Sequence, residues 1–273
     1  VDPDPAQRER RRAAAETRRA ETDKREADLR ARGRAEAQAI WRAARPLGGT
    51  LAERYLRARG VDLDALRAMY GTDCPRDLKF HPALAYWHGT RHTGPAMVGA
   101  VRGLDGALTG VHATWLSADG LGKAALSPAK LTRGGIWGSG GWLTPVCASA
   151  LIGEGYETAL AVAGALARAK RGPYLVVSAI SLGNMAGAKR RTRRKVWAYV
   201  EPDPERPGLV LPEGVREAII LRDADWKSER ARRANVEHIE LAVAKFRGRG
   251  VAVREAQPAL GCDFADMAVK EAI

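Results

Sequence analysis

The sequence predicts an α/β protein: a mostly parallel, Rossmann-like sheet flanked by helices in the second half of the chain, preceded by a smaller basic α+β unit and an N-terminal charged helix. Beyond residue 145, short apolar runs alternate with helical patterns. A strand is expected over 148–153, an apolar helix over 156–169, strands over 174–180 and 216–221, a helix over 228–247 and a last strand in "VAVREA". Such alternation implies parallel strands, because parallel neighbours need long crossovers and the crossover helices cover the sheet. Upstream, the β-like runs "LKFHP", "MVGAVRG" and "LTGVHATWL" follow one another closely, with "LDGA" as turn chemistry between the last two.

Taken in order, residues 6–38 are almost entirely Ala, Arg, Glu, Lys, Asp and Gln, with Leu29 the one bulky aliphatic. Helix propensity is high, and Glu21/Arg25, Glu26/Arg30 and Asp28/Arg32 stand at i,i+4. No apolar stripe runs along this segment, so it is expected to be solvated, as a helix or a linker. A compact region is expected from Ile40 and Trp41 onward. "TLAERYLRARG" carries Thr50 and Glu53 in capping-box spacing and Gly60 as a stop, and residues 61–70 form a second short helix. Gly and Pro punctuate residues 133–145 as a loop or boundary. In the helix over 228–247, Val236, Ile239, Val243 and Phe246 share one face. The expected division is 1–45 charged extension, 46–144 basic α+β subdomain and 145–273 parallel-sheet domain.

Composition narrows the function classes. The chain has 273 residues, 45% hydrophobic and 28% charged, with net charge +13 and a pI near 10.1. Such an excess favours a polyanionic partner, nucleic acid before a neutral metabolite, although a solvated basic surface has the same composition. Residues 1–45 hold 13 basic and 9 acidic residues, so they contribute only +4 (13 − 9) of that charge. Cys74, Cys147 and Cys262 form no CxxC pair, which argues against a zinc ribbon or a disulfide framework and for a reducing cytoplasm. No run approaches the ~18 apolar residues of a membrane span, and no apolar signal core is present. That the chain begins with Val1 rather than Met is what a segment of a longer protein would show. His81, His88, His92, His112 and His238 lack ligand spacing and read as structural. "GGIWGSGGW" lacks the G-K-[ST] ending of a P-loop, so no helicase motor is expected.

The chemistry is expected at the carboxyl ends of the parallel strands. Glu154 follows Leu151 and Ile152, between two glycines in "LIGEGYETALA"; Asp223 and Asp225 follow Ile219, Ile220 and Leu221 in "REAIILRDAD". Asp263 and Asp266 lie beyond the last strand, in "GCDFADM". Two apart on a strand end, Asp223 and Asp225 point to one side, and Glu154 on a neighbouring strand can join them. Converging carboxylates repel one another unless a cation sits among them, and oxygen donors suit Mg²⁺ or Mn²⁺; zinc is not expected. An E-x-x-E or D-x-D alone means little, since acids at strand ends are usually solvated or helix-capping. Order and context raise the signal.

"LIGEGYETALA" followed by "AIILRDADWKS" resembles the Toprim domain of bacterial-type DNA primases and topoisomerases, and "GCDFADM" resembles the G-x-D-x-x-D segment closing that domain in phage- and plasmid-borne primase-like proteins. The resemblance covers residues 145–273. More loosely, "LKFHP", "VGAVRGLDGALTGVHATWL" and "GKAALSPAKLTRGGIWG" resemble the basic subdomain that precedes Toprim in primase cores. It implies that Glu154 binds metal or acts as acid/base, that Asp223 and Asp225 are a metal pair, and that Asp263, with Asp266, is a later acidic position. It also implies that Arg102, Lys123 and Lys130 face template or incoming nucleotide. "AKRRTRRK", with Lys189, Arg190 and Arg191, is positioned to extend that basic track, or is a solvated face. Trp115, Trp137 and Trp142 are expected in the core before they are expected to stack on bases.

Two departures from the family stand out. The D-x-D pair is followed by Trp226-Lys227-Ser228 rather than a small residue and Gly, so Lys227 competes for the acidic cluster. No Cys/His cluster stands in for the family's zinc-binding module. The function implied is primer synthesis on a single-stranded DNA template from nucleoside triphosphates, in phage- or plasmid-type replication, with a replicative helicase or a separate zinc-binding module as partners. A Toprim nuclease or topoisomerase and a non-catalytic nucleic-acid-binding accessory remain as alternatives. The topoisomerase version lacks room for a tyrosine-bearing domain after the acidic motif.

Overall fold

The computed structural model of the chain describes residues 5–191, 200–222, 224, 226, 228–259, 261 and 264. Helix α1 (Pro5–Ala43) runs for 39 residues. Residues 9–32 are exposed, as a helix with no apolar stripe should be, and local pairs such as Arg12–Glu16 and Arg30–Glu26, at 3.0 and 3.1 Å, decorate it. Its last turns behave differently. Ala37 is fully buried, and Ile40 and Trp41 pack against the core of an antiparallel sheet. Gly33 makes the approach possible, because a Cβ there would stand 3.2 Å from the Gly134 Cα. Packing thus begins at Gly33, earlier than Ile40 and Trp41, because small residues rather than a bulky stripe make the first contact.

The antiparallel sheet has the order β1 (Arg45–Pro46), β2 (Leu78–Ala85), β3 (Thr93–Arg102), β4 (Leu108–Trp115), β5 (Lys130–Gly134). Val98, Ala100, Val111, Ala113 and Trp115 face α1. Met97 and Phe80 belong instead to a core shared with α2 (Leu51–Ala58) and α3 (Leu63–Tyr70). Helix α2 starts where expected: the Glu53 amide donates to Thr50 Oγ1 at 3.4 Å. The return bond is shifted by one residue, with the Gly49 amide donating to Glu53 Oε2 at 2.7 Å. It stops at Gly60, φ +74°, where the Val61 amide reaches Leu56 O and the Gly60 amide reaches Arg57 O, both at 3.0 Å.

The second sheet has the order β12 (Ala252–Ala256), β11 (Glu217–Leu221), β7 (Ser149–Gly153), β8 (Leu175–Ser178), β6 (Gly141–Trp142). The first four are mutually parallel, and β6 is an antiparallel edge on β8. Two-residue β6 lies in the stretch expected as loop; it is too short and glycine-rich to show a strand pattern. Alternation sorts the faces. Leu151, Val176 and Leu221 pack with α4 (Tyr156–Arg168), α2 and α3. Ala150, Ile152, Leu175, Val177, Ala218 and Ile220 pack with Ile239, Ala242, Val243 and Phe246 of α6 (Glu229–Arg247). Short α5 (Leu182–Ala186) and the hairpin β9 (Lys189–Arg191) and β10 (Val200–Pro202) lie between β8 and β11. Among the described residues no helix is long and apolar enough to cross a membrane.

The two sheets are pinned together at Tyr156. This side chain is 1% exposed and donates its hydroxyl to Ala100 O on β3 at 2.9 Å. It fits because Gly99 and Gly141 have no side chains: a Cβ at either would lie 2.3 or 2.4 Å from the ring.

Candidate functional site

Strand β7 connects to β8 through α4 on one face, whereas β11 connects to β12 through α6 on the other. The strand order therefore reverses between β7 and β11, and the crevice beyond their carboxyl ends is where such sheets bind ligands. The two strands are in register with Ile152 opposite Ile220. Glu154, two residues beyond Ile152, thus stands beside the strand end that leads to Asp223 and Asp225. Asp223, Asp225, Asp263, Asp266 and Lys227 lie outside the described residues. Among the described residues no group of three or more His, Cys, Asp or Glu could hold a metal ion.

Glu154 opens into a cavity of about 320 Å³ that joins the two halves of the molecule. Tyr55 and Arg59 come to it from α2 and the residue after it, His112 from β4, Lys130 from β5 and Lys123 from the loop between those strands; Gly155, Glu157 and Thr158 close it from α4 and the turn before it. Lys123 and Lys130, assigned from sequence to face nucleotide or template, are thus brought together with Glu154.

Glu157 is the least exposed acid of the cavity, at 6%. Lys130 Nζ stands 2.8 Å from its Oε1 and donates to its Oε2 at 2.9 Å, and the Tyr55 hydroxyl donates to Oε1 at 2.9 Å. Burial is the largest single influence and opposes the charged carboxylate, but the Lys130 ammonium, the residue's own amide and the Tyr55 hydroxyl together outweigh it and hold Glu157 down at about 2. His112 hydrogen-bonds through Nδ1 to Thr132 Oγ1 at 3.0 Å; burial, with Lys130 adding to it, lowers its pKa to about 4. A neutral imidazole therefore stands beside a compensated ion pair.

The glycines around Glu154 acquire specific reasons. A Cβ on Gly153 would press on Ala159 at 3.1 Å, so Gly153 lets α4 fold back onto its strand. A Cβ on Gly155 would lie 3.3 Å from Glu157 Oε2 and 3.9 Å from Lys130 Nζ. Gly155 thus leaves the ion pair against the turn that follows Glu154.

A family model described as a domain of unknown function, DUF7146, matches residues 31–143. That span runs from the last turns of α1 through the antiparallel sheet to Leu143. No curated protein matches the chain. Among solved structures it is similar to a DNA primase domain from Pseudomonas aeruginosa, at TM-score 0.46 and 14% identity over 88% of this chain and 75% of that one. It is also similar to the RNA polymerase domain of Mycobacterium tuberculosis primase DnaG in complex with double-stranded DNA, at TM-score 0.42 and 16% identity over 89% and 76%.

The other basic candidates stand elsewhere. Arg102 donates from Nε to Asp77 Oδ1 at 2.7 Å, lies over the Trp41 ring at 5.6 Å and is 26% exposed. It ties α1 to the sheet and does not line the cavity. Lys189 pairs with Glu237 on α6, Arg190 is exposed, and Arg191 closes β9. Trp115 is fully buried and Trp142 donates to Arg102 O at 3.0 Å, while Trp137, expected in the core, is 46% exposed under the Arg206 guanidinium. Sequence reasoning missed Tyr55, Arg59, His112 and Glu157. Glu157 had a signal, the E-x-x-E that puts it one helical turn past Glu154. Tyr55 had none, since it meets Glu157 across 102 residues.

Proposed function

We propose that this chain is a primase-like nucleotidyltransferase that joins ribonucleotides on a single-stranded DNA template. The observation that carries the reading is Glu154 at the β7/β11 switch point, lining one cavity with Lys130 of β5 and Lys123 of the β4–β5 loop. Glu154, Asp223, Asp225 and Asp263 would hold Mg²⁺ or Mn²⁺. The bound ion supplies charge stabilisation at the attacking and leaving oxygens. Lys123 and Lys130 orient the triphosphate, and Arg102, Lys189, Arg190 and Arg191 contribute to the basic surface that follows the template phosphates. In the reaction a 3′-hydroxyl oxygen bonds to the α-phosphorus, the bond to the bridging oxygen breaks, pyrophosphate leaves and the hydroxyl proton is released.

The test compares wild type with Glu154→Gln in oligoribonucleotide synthesis, plasmid nicking and single-stranded DNA binding. Synthesis by wild type, lost by about 100-fold or more in E154Q with DNA binding retained, is the expected result. Nicking without synthesis, abolished by E154Q, makes the chain a Toprim-type nuclease. Binding with neither activity makes it an accessory protein.

A further inference from the structure

We propose that Glu157, steadied by Tyr55, is a positioning residue that holds Lys130 so that its ammonium presents one N–H to a phosphate oxygen beside Glu154. This rests on the phosphoryl-transfer reading of the same cavity. Lys130 has three N–H donors. Nζ donates to Glu157 Oε2 at 2.9 Å and stands 2.8 Å from Oε1, so the carboxylate holds the ammonium on one side and the N–H donors it does not engage point away from it. The Lys130 side chain is 30% exposed while that of Glu157 is 7% exposed, so the pair is anchored at its acidic end and open at its basic end. Gly155 places that open end 3.9 Å from where a side chain on the residue after Glu154 would begin. The Tyr55 hydroxyl, donating to Oε1, limits rotation of the carboxylate.

The pair has an electrostatic consequence that separates placement from charge. With Glu157 ionised, the Lys130–Glu157 pair adds no net charge to the cavity. Removing the Glu157 charge raises the positive potential, and on charge alone an anion would bind tighter. If placement governs, the anion binds more weakly, because an untethered lysine must lose its rotamer freedom on binding.

The experiment measures inorganic tripolyphosphate and ATP binding by calorimetry and single-stranded oligodeoxynucleotide binding by fluorescence anisotropy. The proteins are wild type, Lys130→Met, Glu157→Gln, Glu157→Asp and the K130M/E157Q double variant, each checked by thermal melting. Expected are a loss of about tenfold to a hundredfold in K130M, a weakening in E157Q, an intermediate value in E157D, and a double variant no worse than K130M. Coupling with the triphosphates assigns the phosphate to the nucleotide; coupling with the oligonucleotide assigns it to the template. Should E157Q fail to fold, Tyr55→Phe replaces it, expected to weaken binding in the wild-type background and not in K130M. Equal or tighter binding by E157Q (or unchanged binding by Y55F in its place), additive losses, or no triphosphate or oligonucleotide binding by wild type overturns the proposal. Absence of primer synthesis with this coupling intact overturns the primase reading alone.

Discussion

At the scale of single residues, the cavity makes the protein acid-sensitive, and the sign follows from which state holds the proton. His112 titrates near 4 when folded against an ordinary 6.5, so the unfolded chain takes up its proton first and stability falls as pH drops from 6.5 towards 4. Glu157 is depressed from 4.5 to about 2, so its contribution, present above 4.5, disappears between 4.5 and 2. Melting temperature is therefore expected to decline below about pH 6.5 in two overlapping stages. His112→Gln should flatten the upper stage and leave the lower one, as differential scanning calorimetry across pH would show. Tyr156 offers a second residue-level test. Tyr156→Phe keeps the packing and leaves Ala100 O without its donor, at a cost of about 1–3 kcal/mol in urea denaturation. Gly99→Ala, which drives a Cβ into the tyrosine ring, should cost at least as much.

Among the elements, regular patterns were legible and irregular ones were not. The strands and helices beyond residue 145 fall within two residues of their expected bounds where periodicity was strong, as for α4 and α6. Thr50 and Gly60 marked the ends of α2 because capping chemistry is local. Edge strand β6 escaped because two residues carry no period. The docking of α1 escaped for another reason: its contact is made by Gly33 and Ala37, which leave no apolar stripe. The site divides the same way. Glu154 could be singled out from its motif and Lys130 through the family resemblance, whereas Tyr55 and His112 join them through tertiary contacts that no spacing encodes. Deletion tests the division of α1. Removing residues 5–29 should leave the melting temperature unchanged. Removing the helix through Trp41 strips the antiparallel sheet of Ala37, Ile40 and Trp41 and should cost about 3 kcal/mol or more.

For the whole molecule, the decisive feature is that two sheets of different construction share one core and one cavity. Leu78 and Met97 of the antiparallel sheet, Leu151 and Val176 of the parallel sheet and the helices between them form one buried cluster. The molecule is accordingly expected to unfold in a single calorimetric transition, with Tyr156→Ala lowering it and broadening it as the sheets lose their bolt. The same joint brings Lys130 of β5, Lys123 of the β4–β5 loop and Glu154, just past β7, into one cavity. The proposed function makes this joint a metal-dependent centre for template-directed nucleotidyl transfer. Its most direct test is incorporation of labelled ribonucleotides by the wild-type protein on single-stranded DNA, followed as Mn²⁺ or Mg²⁺ is titrated and then chelated. Oligoribonucleotides that require template, rise with metal and vanish on chelation are expected. No product at any metal concentration from folded, DNA-binding protein, or product that persists after chelation, would contradict the proposed function.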